Sequence, residues 1–122
     1  DPIVTYEGGG LNAARIADVD YWKGNVPPGL PQHHGVDAAM RTWAKHNSCD
    51  AKPVEERVAP EVRRRRWRDC KADTMLYAID GGGHAWPGKP VPQFEASSGH
   101  ATTQIDASTL IFKFLFEHRR SG

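Results

Sequence analysis

The sequence predicts a mixed α/β chain: a β-hairpin or edge strands plus two main helices, around a sheet too small to be complete. Three observations predict it. Residues 36–47 repeat apolar side chains at helical spacing, and residues 62–80 read as two extended runs around a short polar turn. Residues 105–118 form a capped helix with a very broad apolar face.

The chain opens extended and reaches the triple glycine Gly8-Gly9-Gly10. Residues 11–35 carry Pro27-Pro28-Gly29, Pro31 and His33-His34-Gly35 with no apolar period, and read mainly as loop. From Val36 the pattern changes. Val36, Ala39, Met40, Trp43 and Ala44 share one helical face, Asp37 is a candidate cap, and Asn47-Ser48 ends the helix just before Cys49. Residues 50–61, with Pro53 and Pro60, read as a polar connector. Residues 62–70 and 74–80 flank Lys71-Ala72-Asp73 and predict an antiparallel hairpin whose second strand is the more apolar. Residues 87–104 are rich in Pro, Gly and Ser and predict a loop. Asp106 is the expected N-cap of the last helix, with Ile105 and Leu110 at hydrophobic-staple positions. Leu110, Ile111, Phe114 and Leu115 would face inward, and Phe112 and Phe116 widen that face. So much apolar helix surface asks for a multi-stranded sheet, yet only one strand is clearly apolar.

Composition narrows the function classes. With 122 residues, 12 glycines and nine prolines, the chain is loop-rich with a limited core. A formal charge of +1 supplies no global field toward nucleic acid or a membrane surface. No apolar run is long enough to span a bilayer. The run Arg63-Arg64-Arg65-Arg66-Trp67-Arg68 invites a nucleic-acid reading, but Glu55, Glu56, Glu61 and Asp69 flank it, so no nucleic-acid partner is expected. His33-His34 with His100 makes no metal site, because adjacent histidines on an extended chain point apart. Cys49 and Cys70 could be free thiols, but their polar neighbours (Ser48 and Asp50, Asp69 and Lys71) disfavour burial and favour a disulfide, hence an oxidising compartment.

The segment richest in chemistry is Gly81-Gly82-Gly83-His84-Ala85-Trp86-Pro87-Gly88, directly after the apolar strand. Glycines without side chains let the backbone bend and leave an imidazole projecting, with Trp86 as an aromatic wall. A histidine so presented suits general-base work near neutrality. It equally suits a surface loop in which His84 merely hydrogen-bonds its neighbours.

The ordered set of motifs resembles the C-terminal half of secreted serine esterases that group poly(3-hydroxybutyrate) depolymerases with feruloyl esterases, which are α/β-hydrolases. The resemblance rests on Asp1-Pro2-Ile3-Val4-x-Tyr6-x-Gly8-Gly9, Trp43, Asn47-x-Cys49, Trp67-x-x-Cys70, the stretch from Leu76 to Gly88 around His84, and Ile105-Asp106-Ala107. It implies that residues 1–122 form the C-terminal segment of one catalytic domain, with Asp1 as triad acid and His84 as base. Cys49 and Cys70 match a pair that the family is expected to bridge, and Trp86 is implied to line the substrate pocket. The acid-then-base order fits the chain order of α/β-hydrolase triads. The resemblance further implies an ester substrate (polyester or feruloyl ester), no metal or organic cofactor, and an extracellular or periplasmic location.

The departures carry equal weight. No G-x-S-x-G elbow occurs, and the serines Ser48, Ser97, Ser98, Ser108 and Ser121 do not sit on a strand-to-helix turn. Thr5 stands where the family more often has proline. The expectation is therefore a fragment that lacks the nucleophile half and is inactive alone. The alternative is a non-catalytic binding or assembly module that reuses this half-fold.

Overall fold

The structure is a computed structural model that describes residues 1–10 and 32–118. A short β1 (Gly9–Gly10) pairs antiparallel with β2 (Gln32–His33), and α1 (Val36–His46) follows at once. Next come β3 (Val54–Ala59), β4 (Val62–Arg66) and β5 (Met75–Ile79), a three-stranded antiparallel sheet in the order β3-β4-β5. A 3-10 turn (Pro92–Phe94) leads into the one-turn α2 (Glu95–Ser98), and α3 (Ala107–Glu117) closes the described chain. The architecture is thus mixed α/β, with the predicted hairpin at its centre. The reading of residues 11–31 as loop lies outside the described residues.

Residues 50–61 correct the sequence reading, because they contain β3 instead of a connector. The strand forms in a polar segment because its partner supplies the opposite charges. Glu55 pairs with Arg65 and Glu56 with Arg64 directly across the ladder, and both pairs are ion-bonded. Arg63 bonds Asp80 at 2.7 Å, and Arg65 bonds Asp37 at 2.6 Å. Arg63, Arg64 and Arg65 therefore engage carboxylates of this same chain. A register shift between Arg57 and Ala59 bends the outer strand near its tip.

Alternation along β4 and β5 sorts residues between two faces. Arg64, Tyr77 and Met75 lie toward α3, where they and Leu110, Ile111 and Phe114 border a groove of about 300 Å³. Arg65 lies on the opposite face and reaches α1 through Asp37. Among the described residues the buried apolar set is small, comprising Ile3, Ala44, Val62, Trp67 and Ala78. Of the predicted α1 face only Ala44 is buried, and Trp43 stands outward at 59% exposure.

The cap of α1 also differs from expectation. Gly35 is the N-cap residue and Asp37 lies in the first turn, where it accepts from Tyr6 Oη and Arg65. Both donors hold its carboxyl below the usual range, the tyrosine hydroxyl most. At the far end of α1, Cys49 and Cys70 are joined in a disulfide. Asn47 reinforces that link, since its side chain donates to Thr74 Oγ1 at 2.8 Å and its carbonyl accepts from Lys71 N. Asp106 caps α3 as predicted, accepting from Thr109 N at 2.8 Å.

Candidate active site

The site forms where the chain leaves β5. Gly81 takes a φ of +70°, a left-handed turn that glycine adopts without steric cost. Gly83 is required for a different reason. A Cβ there would come within 2.5 Å of the Gly99 carbonyl carbon, with the Ser98 carbonyl oxygen closer still. The glycines of this segment therefore let two backbone stretches touch. Gly83 N donates to His100 O at 2.8 Å, His84 N to Ser98 O at 2.6 Å, and Gly88 N to Thr102 O at 2.7 Å. The loop is pinned along its length by a strap of residues 98–102.

Downstream, α3 fixes the other end of the loop. Ala107 N donates to Pro87 O, and Trp86 Nε1 donates to Ser108 Oγ at 3.1 Å. Gly88, at a φ of +88°, packs so tightly on Asp106 that a Cβ would lie 2.7 Å from its Cα.

Asp1 meets His84 across 83 positions of sequence. Its Oδ1 accepts from the backbone N–H of Ile3 and Val4 at 2.8 and 2.9 Å, and buried Ile3 anchors that turn. This leaves Oδ2 directed at His84 Nδ1, 3.0 Å away. An ionised carboxylate can only accept, so the contact requires the proton on Nδ1 and makes Nε2 the acceptor nitrogen of a neutral ring. The imidazole side chain is 52% exposed and the Asp1 side chain 25%. A fixed carboxylate orienting an accessible imidazole is an arrangement that acid–base chemistry can use.

His84 opens onto a cavity of about 220 Å³, walled by Trp86, Val91, Pro92 and Phe94. Trp86, singled out from the sequence, lines it and remains half exposed, its ring held by the bond to Ser108. On its other side Asp1 borders a wider cleft with Val36, Trp43 and Ile79. Ser108 is engaged with Trp86, Ser97 donates to the Phe94 carbonyl, and Ser98 offers His84 its carbonyl.

The structure therefore brings Asp1, His84 and Trp86 together. Cys49 and Cys70 stand apart, at the opposite end of the hairpin, and act on the frame. No protein-family model, curated protein or solved structure matches this chain. The chemistry must be read from the side chains themselves.

Sequence reasoning missed Glu61 and the strap. Glu61 sits in the β3–β4 turn and binds both His100 and Thr102. No local pattern announces it, since its partners lie 39 and 41 positions away. The only hint is Gly99, whose φ of +83° marks a required turn just before His100.

Proposed function

We propose that this chain supplies the acid and the base of a serine-type carboxylic ester hydrolase of the poly(3-hydroxybutyrate) depolymerase and feruloyl esterase kind. The observation that carries the reading is the 3.0 Å contact between Asp1 Oδ2 and His84 Nδ1, with Oδ1 locked by two backbone donors. It is supported by the ordered motifs of the sequence in which these two residues stand. The hydrolase half-fold belongs to the same proposal, with Ile111, Phe112 and Leu115 of α3 covered by further parts of the enzyme. So does an extracellular or periplasmic location, with which the disulfide is compatible. No helix among the described residues is long and apolar enough to cross a membrane.

In this reading His84 Nε2 takes the proton of a serine hydroxyl as that oxygen attacks the ester carbonyl. It then returns the proton to the leaving alcohol. Asp1 holds the Nδ1–H tautomer and stabilises the imidazolium that forms. The serine and the oxyanion donors come from a segment other than the residues described, and the ester's apolar group would lie against Trp86. No metal or organic cofactor takes part in any step.

The test is hydrolysis of a p-nitrophenyl ester by the chain alone and by a polypeptide that joins it to a segment bearing a G-x-S-x-G elbow. The chain alone should show no turnover above background. The joined protein should turn over, losing about 10⁴-fold or more in kcat with His84→Ala and roughly 10⁴-fold with Asp1→Asn. Activity insensitive to both substitutions would leave the binding or assembly module, for which the exposed α3 face speaks, as the better reading.

A further inference from the structure

We propose that Glu61 is a positioning residue for the Asp1–His84 pair, acting through His100 and Thr102 on the strap of residues 98–102. The inference rests on the acid–base reading above and extends it to a residue outside the triad.

The strap bonds the backbone at His84 and packs beside Pro2, next to Asp1. Its carbonyls at Ser98 and His100 accept from the backbone of His84 and Gly83, which fixes where the imidazole starts. Gly99 lies between the two arms of the site. A Cβ placed on it would stand 3.0 Å from Gly83 Cα and 3.4 Å from the Pro2 ring. One short backbone segment thus backs the residue before His84 and the residue after Asp1. A shift of the strap changes the separation of Nδ1 and Oδ2 directly.

Glu61 is what holds the strap. Its carboxylate accepts from Thr102 Oγ1, and His100 Nε2 lies 3.2 and 3.1 Å from its two oxygens. Thr102 is 1% exposed, so its hydroxyl has little access to water as a substitute partner. The backbone of Glu61 completes the frame. Its N–H donates to Gln104 Oε1 at 2.9 Å, and its carbonyl accepts from Asp80 N at 2.8 Å, where β5 turns into the His84 loop. Gln104 N in turn donates to Thr102 Oγ1. Around His100 the charged neighbours are Glu61 and, at 3.9 Å from Nδ1, Glu95 of α2. The carboxylate nearer the ring, on Nε2, is that of Glu61. The donors from Thr102 and His100 hold the Glu61 carboxyl below its usual range, in keeping with a charged hub.

The experiment is nuclear magnetic resonance of the 15N-labelled 122-residue chain, reading the His84 Nδ1 proton and the imidazole nitrogen shifts that report its tautomer. Wild type should show a protected Nδ1 proton that Asp1→Asn removes. Glu61→Ala and Thr102→Val should lose that proton to exchange with water, and Thr102→Ser, which keeps the hydroxyl, should retain it. His100 is exposed enough to replace without unfolding the chain. His100→Ala should therefore report the same loss if Glu61→Ala fails to fold, and His100→Gln should preserve the signal. A lowered denaturation midpoint with an unchanged His84 proton would overturn the proposal, since a merely structural role predicts that outcome. A wild-type chain without the Asp1-dependent proton would overturn the acid–base reading itself, and this inference with it.

Discussion

The corner around His84 and the outer face of α3 are built on opposite principles. At the corner, three strap carbonyls, two backbone donors on Asp1 and a bond from Trp86 to Ser108 fix the position of nearly every polar group. On α3, Phe112 and Leu115 stand 61% and 56% exposed with no comparable fixing. Leu110 and Phe114, on its inner edge, are half-buried against the groove that Arg64, Met75 and Tyr77 border. With few buried apolar side chains among the described residues, the corner keeps its shape through close backbone contact and hydrogen bonding. The helix face presents large apolar side chains at more than half exposure instead. The comparison shows that a site can be specified tightly within a chain whose apolar surface is still unspent.

The sharpest way to break the corner is to add one methyl group. Gly83→Ala drives a Cβ into the Ser98 and Gly99 backbone, which cannot swing aside as a flexible side chain would. We expect a loss of about 3 kcal/mol or more in urea unfolding, at the top of the usual range for overpacking. Gly81→Ala is the control, because a Cβ there meets nothing within 4 Å and the cost is only that of a left-handed φ. That should be about 1 kcal/mol. Equal losses at the two positions would show that the strap does not press on the loop.

Reducing the disulfide should cost nearly as much stability without touching the corner. Cys49 and Cys70 close a loop of separation 21 at the end of the hairpin away from His84. The double substitution to serine should lower stability by about 3 kcal/mol in the chain-entropy account. The tautomer of His84 should stay as in wild type, because the strap's bonds run to Gly83, His84, Gly88 and Glu61, away from that end. A changed imidazole spectrum in the reduced chain would mean that frame and site are coupled.

How much of this could be read from the sequence follows from the range of each interaction. The helix over residues 107–117 was legible because its cap, staple and periodicity are all local. The β4–β5 hairpin was legible for the same reason. β3 was not, since its strand character comes from cross-strand ion pairs and not from its own Val-Glu-Glu-Arg pattern. Asp37 was misread as a cap because the sequence does not reveal that Tyr6 and Arg65 compete for its carboxylate. Asp1, His84 and Trp86 were singled out through ordered motifs, and the fold brings Asp1 into contact with His84 and Trp86 beside it. Glu61 was not, because its role depends on partners brought to it by the whole fold.

Acid should weaken this polar framework before anything else. Asp37, Glu55, Glu61, Asp80 and Asp106 all have carboxyls held below their usual values. The causes are, in order, donors from Tyr6, Arg65, Thr102, Arg63 and the backbone of Thr109. A depressed folded value means the stabilisation is complete above the unfolded values of roughly 4 to 4.5, and is lost as pH falls through the folded ones. His118 works in the other direction. The Phe114 carbonyl and Asp73 raise it, so its contribution is present below roughly 6.5 and disappears as pH rises through the higher folded value. The thermal midpoint should therefore peak between about pH 5 and 6.5 and fall more steeply on the acid side. Added salt should flatten the profile, because most of these pairs face solvent.

The smallest expected effect tests the other half of the comparison. Phe112→Ser removes an aromatic ring from a position 61% exposed, where it covers little of the core. In the 122-residue chain the unfolding free energy should change by no more than about 0.5 kcal/mol, as for surface sites generally. Self-association measured by sedimentation should decrease, because exposed apolar patches are where soluble chains adhere. In a polypeptide that adds the nucleophile-bearing segment, the same substitution should become costly, on the order of 3 kcal/mol for an aromatic ring newly buried. The ratio of those two losses measures how far the added segment covers the α3 face. Equal losses in both proteins would mean that this face is solvent-facing by design, and the hydrolase half-fold would lose its main structural motive.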